Sequence, residues 1–429
     1  MRILMLSWEY PPRVIGGLAH AVAEISRALA GEGNEVEVIT ALDENLPEYE
    51  VMDGVRVHRV APYHGRPLNF FAWVHQLNLA MLEKGVTLCN NRPFDLVHAH
   101  DWLVAYPGRG LKHIYHIPLI ATIHATEFGR NNGLHTDEQR YIGEVEWWLT
   151  YEAWIVTCCS RFMREEVQAV FNLPPDKIEI IPNGIRPAAF RVDRPDALVR
   201  QRFAAPEEKI IFFIGRLVRE KGVQTLLEAL PLIRDRFPAV RLIIAGTGPY
   251  EEELHRLSIH LGLDRQVTFT GYIDEATRNQ LYAHADVAAF PSLYEPFGLV
   301  ALEAMATGTP VVVGDSGGFT ETVVDGVNGL RAQPGNAGDL AGKIITLLEN
   351  RDLALRLSRQ GLKDVEEKFA WPSIARRYEE IYQKIVFSPE ARKWRREAGR
   401  AAADPSPGRV PAAEKSEAVP ALPSRYHRG

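Results

Sequence analysis

Cysteine is scarce: Cys89, Cys158 and Cys159 are the only three in 429 residues. Three cannot build a disulfide scaffold, and adjacent cysteines such as Cys158 and Cys159 rarely pair with each other. No metal-ligand spacing surrounds them, so they read as reduced, buried small residues of a cytoplasmic protein. Long apolar runs are also missing. None approaches the roughly 18 residues needed to cross a bilayer, which excludes a helical membrane span. The opening run Arg2–Trp8 is too short for a signal peptide and meets Glu9 and two prolines at once, so it reads as a first strand. Positive charge is weak overall, with a net charge of −6. Residues 391–429 hold nine Lys or Arg against four Asp or Glu, leaving −11 on the preceding 390. A body that acidic excludes nucleic acid as the main partner. Three signatures are absent as well. Gly246-Thr247-Gly248-Pro249 lacks the third glycine of a dinucleotide fingerprint, and there is neither an Asp-x-Asp nor a His-Glu-x-x-His.

What the chain does have is alternation. Short Val/Ile/Leu-rich runs (RILMLSW, VEVIT, VRVHRVA, DLVHAH, PLIATIH, AWIVTCCS, IEIIPNG) are separated by segments of helical period such as NFFAWVHQLNLAMLEKG. Strands apolar on both faces, alternating with helices, mean a parallel sheet covered on both sides. A polar stretch from Ile185 to Lys209 interrupts the pattern. It then restarts with KIIFFIG, VRLIIAG, QVTFTG, VAAFPS and PVVVGDS. The expectation is two α/β domains, 1–187 and 188–370. A helix over 371–388 and a disordered Ala/Pro-rich basic tail over 389–429 would follow.

Ligands of open parallel sheets bind beyond the carboxyl ends of the strands, so residues just after each strand carry the information. Gly16-Gly17 opens the first helix: either an anion cradle of backbone amides or a tight turn needing glycine. His98, His100 and Asp101 end one strand and His124 the next, as part of a site or as structural histidines. Arg216 and Lys221 follow the first strand of the second half, suiting a diphosphate or a solvated charge run. In FPSLYEPFGLVALEAM, Glu295 and Glu303 stand eight residues apart, close to two helical turns, so both acids could line one wall. Between Glu127 and Trp154 the chain is rich in aromatics. Trp147, Tyr151 and Trp154 have helical spacing for core packing, although aromatic faces there could also stack on sugar rings.

These blocks together resemble the retaining nucleotide-sugar glycosyltransferases of the GT-B fold, namely glycosyltransferase family 4 and the glycogen/starch synthases, from Arg2 to about Val386. The Glu295-x7-Glu303 block is specific to that group, and PPRVIGGLAHAV, VHAHDW and TIHATEFGRNNG are most like glycogen synthases. Glycogen synthases usually carry Lys-x-Gly-Gly in the first loop, whereas Val14 stands at the lysine position here, with Arg13 beside it. The resemblance implies an α/β protein of GT-B fold, two Rossmann-like domains facing across a cleft. Its implied reaction is transfer of glucose from ADP- or UDP-glucose to a glucan, with no cofactor or metal ion. It further implies that Gly17, with Gly16, binds the distal phosphate and that Arg216 and Lys221 hold the diphosphate. Glu295 would flank the donor sugar, and the amides of Phe297, Gly298 and Leu299 would bind its hydroxyls or phosphate. Glu303 would bind the ribose, His124 would contact the donor sugar, and Asp101 would line the acceptor side. Alternatives are another family 4 hexosyl transfer, to a disaccharide, sugar phosphate or lipid-linked acceptor, a GT-B phosphorylase or epimerase, or a non-catalytic nucleotide-sugar binder.

Overall fold

Strands that are apolar on both faces can be buried only if helices cover both sides, and that is how they are arranged. The structure, a computed structural model, describes residues 1–63 and 67–403, with side chains to Arg396. The chain divides into two compact units, residues 1–181 with 374 onward, and residues 182–373.

The first unit holds an eight-stranded sheet. Its strands are β1 (Arg2–Leu6), β2 (Glu35–Ala41), β3 (Tyr49–Met52), β4 (Val55–Val60), β5 (Leu96–His100), β6 (Leu119–Ile123), β7 (Ile155–Cys158) and β8 (Ile178–Ile180), in the order β3-β4-β2-β1-β5-β6-β7-β8. Every pairing is parallel except β3 with β4. All residues of β1, β5 and β6 are buried, which explains why these strands are mostly apolar; Arg2, His98, His100 and Thr122 are the buried polar residues among them. The sequence reading omitted β3. Its residues alternate between exposed and half-buried at a sheet edge, and so lack the signal of a buried strand. The hairpin turn Asp53-Gly54, with φ of +50° and +84°, was the available clue.

The second unit is a six-stranded, all-parallel sheet. It comprises β9 (Lys209–Ile214), β10 (Val240–Ala245), β11 (Val267–Gly271), β12 (Val287–Phe290), β13 (Val311–Gly314) and β14 (Leu330–Ala332), in the order β11-β10-β9-β12-β13-β14. Strand order reverses between β1 and β5 in the first sheet and between β9 and β12 in the second. Loops leaving those four strands therefore diverge and open a crevice at each sheet's carboxyl edge.

The tail expectation is corrected in part. Residues Pro389–Ala403 form a helix, in which Ala391 is buried and Trp394 rests on His113 and His116 with ring centroids 5.9 and 4.8 Å away. Composition missed it because one tryptophan, one alanine and Arg395, which donates to the Asp95 carbonyl at 3.1 Å, supply the anchoring. The rest of the tail expectation, over 404–429, lies outside the described residues. The described cysteines are all buried and free. Among the described residues no helix is long and apolar enough to cross a membrane, and no cluster of His, Cys, Asp and Glu could hold a metal ion.

Candidate active site

In the second unit, three loops at the sheet's switch point are locked together by close backbone approach. The Lys221 turn follows β9, the Glu295 loop follows β12 and the Gly317-Gly318 turn follows β13. Gly222 has φ +71°, and a Cβ there would lie 2.0 Å from the Pro291 carbonyl oxygen. A Cβ at Gly317 would lie 2.1 Å from the Glu295 carbonyl. Leu293 N donates to Glu220 O at 2.8 Å and Gly318 N to Glu295 O at 2.6 Å. Only glycine allows backbones this near, so glycine's role here is to place Lys221 against Glu295.

Lys221 Nζ donates to Glu295 Oε2 at 2.8 Å, and Ser292 Oγ donates to the same oxygen at 3.1 Å. The carboxylate is buried and the ammonium a quarter exposed, so the pair presents a fixed cation at the crevice. Arg216 is exposed at the end of β9, with no side-chain partner among the described residues. The helix Leu299–Ala306 begins after Gly298, whose φ of +95° turns the chain so that its first-turn amides head the crevice. Glu295 therefore precedes the helix by four residues, and the two-turn argument linking it to Glu303 fails. Glu303 instead accepts from Tyr282 Oη at 3.1 Å, and Tyr282 is wholly buried. Phe297 is buried, 6.1 Å from the Phe369 ring. The Gly246 and Gly248 turn serves packing, since Cβ atoms there would lie 2.0 and 2.3 Å from the carbonyls of Gly215 and Leu217.

In the first unit the glycine turn holds a residue that sequence reasoning missed. Glu9 is 2% exposed, and its Oε2 accepts from Ile15 N at 2.6 Å and Gly16 N at 3.1 Å. The Gly16 amide is thus committed inside the protein, and the open amides begin at Gly17, the first residue of the helix Gly17–Gly31. Burial pushes the Glu9 carboxyl up to about 7, against the lowering effect of the amides. Its one signal in the sequence is a Trp-Glu dipeptide after a buried strand, which local pattern cannot tell from the strand's end. Arg13, beside Val14, lies over the rings of Trp8 and Trp73 at 5.5 Å from each.

Beyond β5, Asp101 is buried with φ +61° and ψ 172°, a conformation costly for any residue but glycine. What it gains there is a bond, because Oδ1 accepts from His124 N at 2.7 Å. His124 Nε2 lies 3.1 Å from His100 Nδ1, and the His100 ring lies 4.1 Å from that of His98. His98 is pinned by Tyr382 Oη at Nδ1 and Thr122 Oγ1 at Nε2, both 2.7 Å. Tyr382 belongs to the helix Trp371–Val386, whose residues from Ile374 onward count with the first unit. Burial lowers the pKa of all three histidines, that of His98 to about 3, so they are neutral near pH 7. The loop after His124 is held by two acids. Glu146 accepts from Glu127 N through both oxygens, and Glu166 accepts from Thr126 Oγ1 at 2.5 Å. Trp147 is core, stacked on Tyr151, whereas Trp148 is half-buried beside Tyr106 with Arg109 over its ring.

Comparison with known proteins identifies the family. Residues 15–189 match the family model for glycosyltransferase family 4, and residues 196–364 match that for glycosyl transferases group 1. The chain is 39% identical to an uncharacterised glycosyltransferase of Methanocaldococcus jannaschii, over 89% of this chain and 98% of that protein. It is 37% identical to glycogen synthase of Mycobacterium tuberculosis, over 89% and 94%. Among solved structures, sucrose-phosphate synthase from Thermosynechococcus elongatus superposes with a TM-score of 0.79 at 27% identity, covering 90% of this chain and 98% of that one. With two parallel α/β units and relatives aligned over nearly its whole length, the chain belongs to the GT-B glycosyltransferases of family 4, alongside the glycogen synthases.

Proposed function

We propose that this glycosyltransferase moves glucose from ADP- or UDP-glucose to the non-reducing end of an α-1,4-glucan, in the cytoplasm, with retention of configuration and without a metal ion. The observation that carries the reading is the 37% identity to a glycogen synthase over 89% of the chain. Sugar transfer needs charge compensation on the departing diphosphate more than it needs a strong base. Lys221, already oriented by Glu295, and the unengaged Arg216 supply two cations for it. Glu295 flanks the sugar, the amides of Phe297, Gly298 and Leu299 take its hydroxyls or a phosphate oxygen, and Glu303 binds the ribose. Gly17 offers the first open amide of the glycine turn to the distal phosphate, Asp101 lines the acceptor side, and His124 contacts the donor sugar. The bond from the anomeric carbon to the phosphate oxygen breaks, and the acceptor oxygen bonds to the same face. The acceptor's proton passes to the leaving phosphate.

A second reading, transfer to a phosphorylated sugar, draws on the likeness to a sucrose-phosphate synthase. The test is nucleoside diphosphate release from ADP-glucose, UDP-glucose and GDP-mannose, with and without glycogen, in EDTA. The expected result is glycogen-dependent release from a glucose donor, with label entering polymer as α-linked glucose and loss of release in Lys221→Met. Release stimulated by a sugar phosphate and not by glycogen would favour the second reading. An inverted product would overturn retention.

A further inference from the structure

His124 shares one hydrogen bond with His100, and a bond between two neutral imidazoles contains one proton. There are two ways to place it. If His124 donates through Nε2, His100 must carry its own proton on Nε2. That nitrogen is sealed from solvent and has no partner among the described residues. A sealed N–H without an acceptor is among the rarest arrangements in folded proteins, because the donor loses its bond to water and gains nothing. If His100 donates through Nδ1 instead, its sealed nitrogen carries only a lone pair. His124 then carries its proton on Nδ1.

Two further features favour the second arrangement. The Asp101 carboxylate is bonded to the backbone N–H of His124 at 2.7 Å, so its negative charge sits beside the end of the side chain that bears Nδ1. A proton on Nδ1 is stabilised there. Nδ1 of His124 also differs from the sealed nitrogen of His100 in being open: the residue is half-buried, and this nitrogen is not among the sealed polar atoms lacking a partner. His100 is itself fixed, buried at the end of β5 with its ring face on His98, which Tyr382 and Thr122 hold from both sides.

We infer that His100 is a positioning residue that holds His124 in its Nδ1–H tautomer, so that His124 offers the substrate a hydrogen-bond donor and no base. The inference rests on the proposed reading of His124 as a sugar contact, and it sharpens that reading. A donor nitrogen binds a sugar hydroxyl oxygen or a phosphate oxygen and takes no proton from the acceptor. This agrees with proton transfer to the leaving phosphate.

The test is long-range proton–nitrogen NMR on protein labelled with ¹⁵N-histidine, with the His124 signals assigned by their loss in His124→Gln. The wild type should show the protonated nitrogen of His124 at Nδ1 and the bare one at Nε2. His100→Asn, whose amide places an N–H close to the lost Nδ1, should keep that pattern. His100→Asp, whose carboxylate in place of the lost Nδ1 can only accept, should draw the proton of His124 to Nε2 and lower kcat/KM roughly 10- to 100-fold, whereas His100→Asn keeps most of the activity. A wild-type His124 protonated at Nε2, or an unchanged tautomer in folded His100→Asp, would overturn the inference. Should His100→Asp fail to fold, the wild-type spectrum decides alone. A tautomer shift in His100→Asp without change in kcat/KM would uphold the positioning role and refute His124 as a substrate contact.

Discussion

Replacing Glu9 with glutamine should make the protein's stability less sensitive to pH, in a direction the structure fixes. The Glu9 carboxyl ordinarily titrates near 4.5, and burial in the folded protein raises this to about 7. The folded state thus binds the proton more tightly than the unfolded chain. The stabilisation is fully present below pH 4.5 and is lost as the pH rises through 7, since stability falls wherever the native state holds more protons. At about 1.4 kcal/mol per pH unit across that interval, the loss is about 3 kcal/mol. Glutamine keeps an oxygen to accept from Ile15 and Gly16 but has no proton to lose. Any fixed cost of housing its amide is the same at every pH, so the change with pH isolates the carboxyl. Thermal unfolding of both proteins at pH 5, 6, 7 and 8 is the assay. With roughly 2–4 °C per kcal/mol for a unit of this size, Glu9→Gln should gain about 5–10 °C on the wild type between pH 5 and pH 8. The same difference in Tm at pH 5 and pH 8 would show that Glu9 is ionised throughout, and the argument from burial would be refuted.

A further substitution and a truncation bear on the second unit's loops and on the C-terminal helix. Gly298→Ala must place a Cβ 2.3 Å from the Phe319 ring at φ +95°. Left-handed strain and overpacking together should cost about 2–5 kcal/mol, seen by calorimetry as an earlier melting transition. A loss below about 1 kcal/mol would mean that the turn relaxes freely. Ending the chain at Phe387 removes the tilted ring contact of Trp394 with His116 and the bond from Arg395 to Asp95. It should destabilise the first unit by about 2–4 kcal/mol in urea unfolding, and an unchanged midpoint would show that the helix Pro389–Ala403 adds nothing.

Much of the architecture is written in local pattern. Fully buried parallel strands are mostly apolar on both faces, so the runs over residues 3–6, 210–213 and 311–313 announce themselves, and the interruption between Ile185 and Lys209 separates the two sheets. The edge strand β3 and the helix Pro389–Ala403 escaped because neither is buried along its length. Their places come from a hairpin turn and from a few anchoring contacts that composition averages away.

The same division runs through the candidate site. The sequence by itself determined which residues follow the strand ends, because strand and helix periods place Gly17, Asp101, His124, Arg216, Lys221 and Glu295 at carboxyl edges without knowledge of any contact. Only the tertiary structure decided what each of them touches. Lys221 and Glu295 are 74 residues apart in the chain and meet because glycines 222 and 317 let three backbones close on one another. Glu9 holds the amides of Ile15 and Gly16 from inside the fold. The His100–His124 bond joins neighbouring strands β5 and β6, whose parallel register pairs His100 with Thr122 and brings the two rings together. Periodicity reports which face a residue takes along its own element. Sheet order and backbone packing, which join residues far apart in sequence, set its partners.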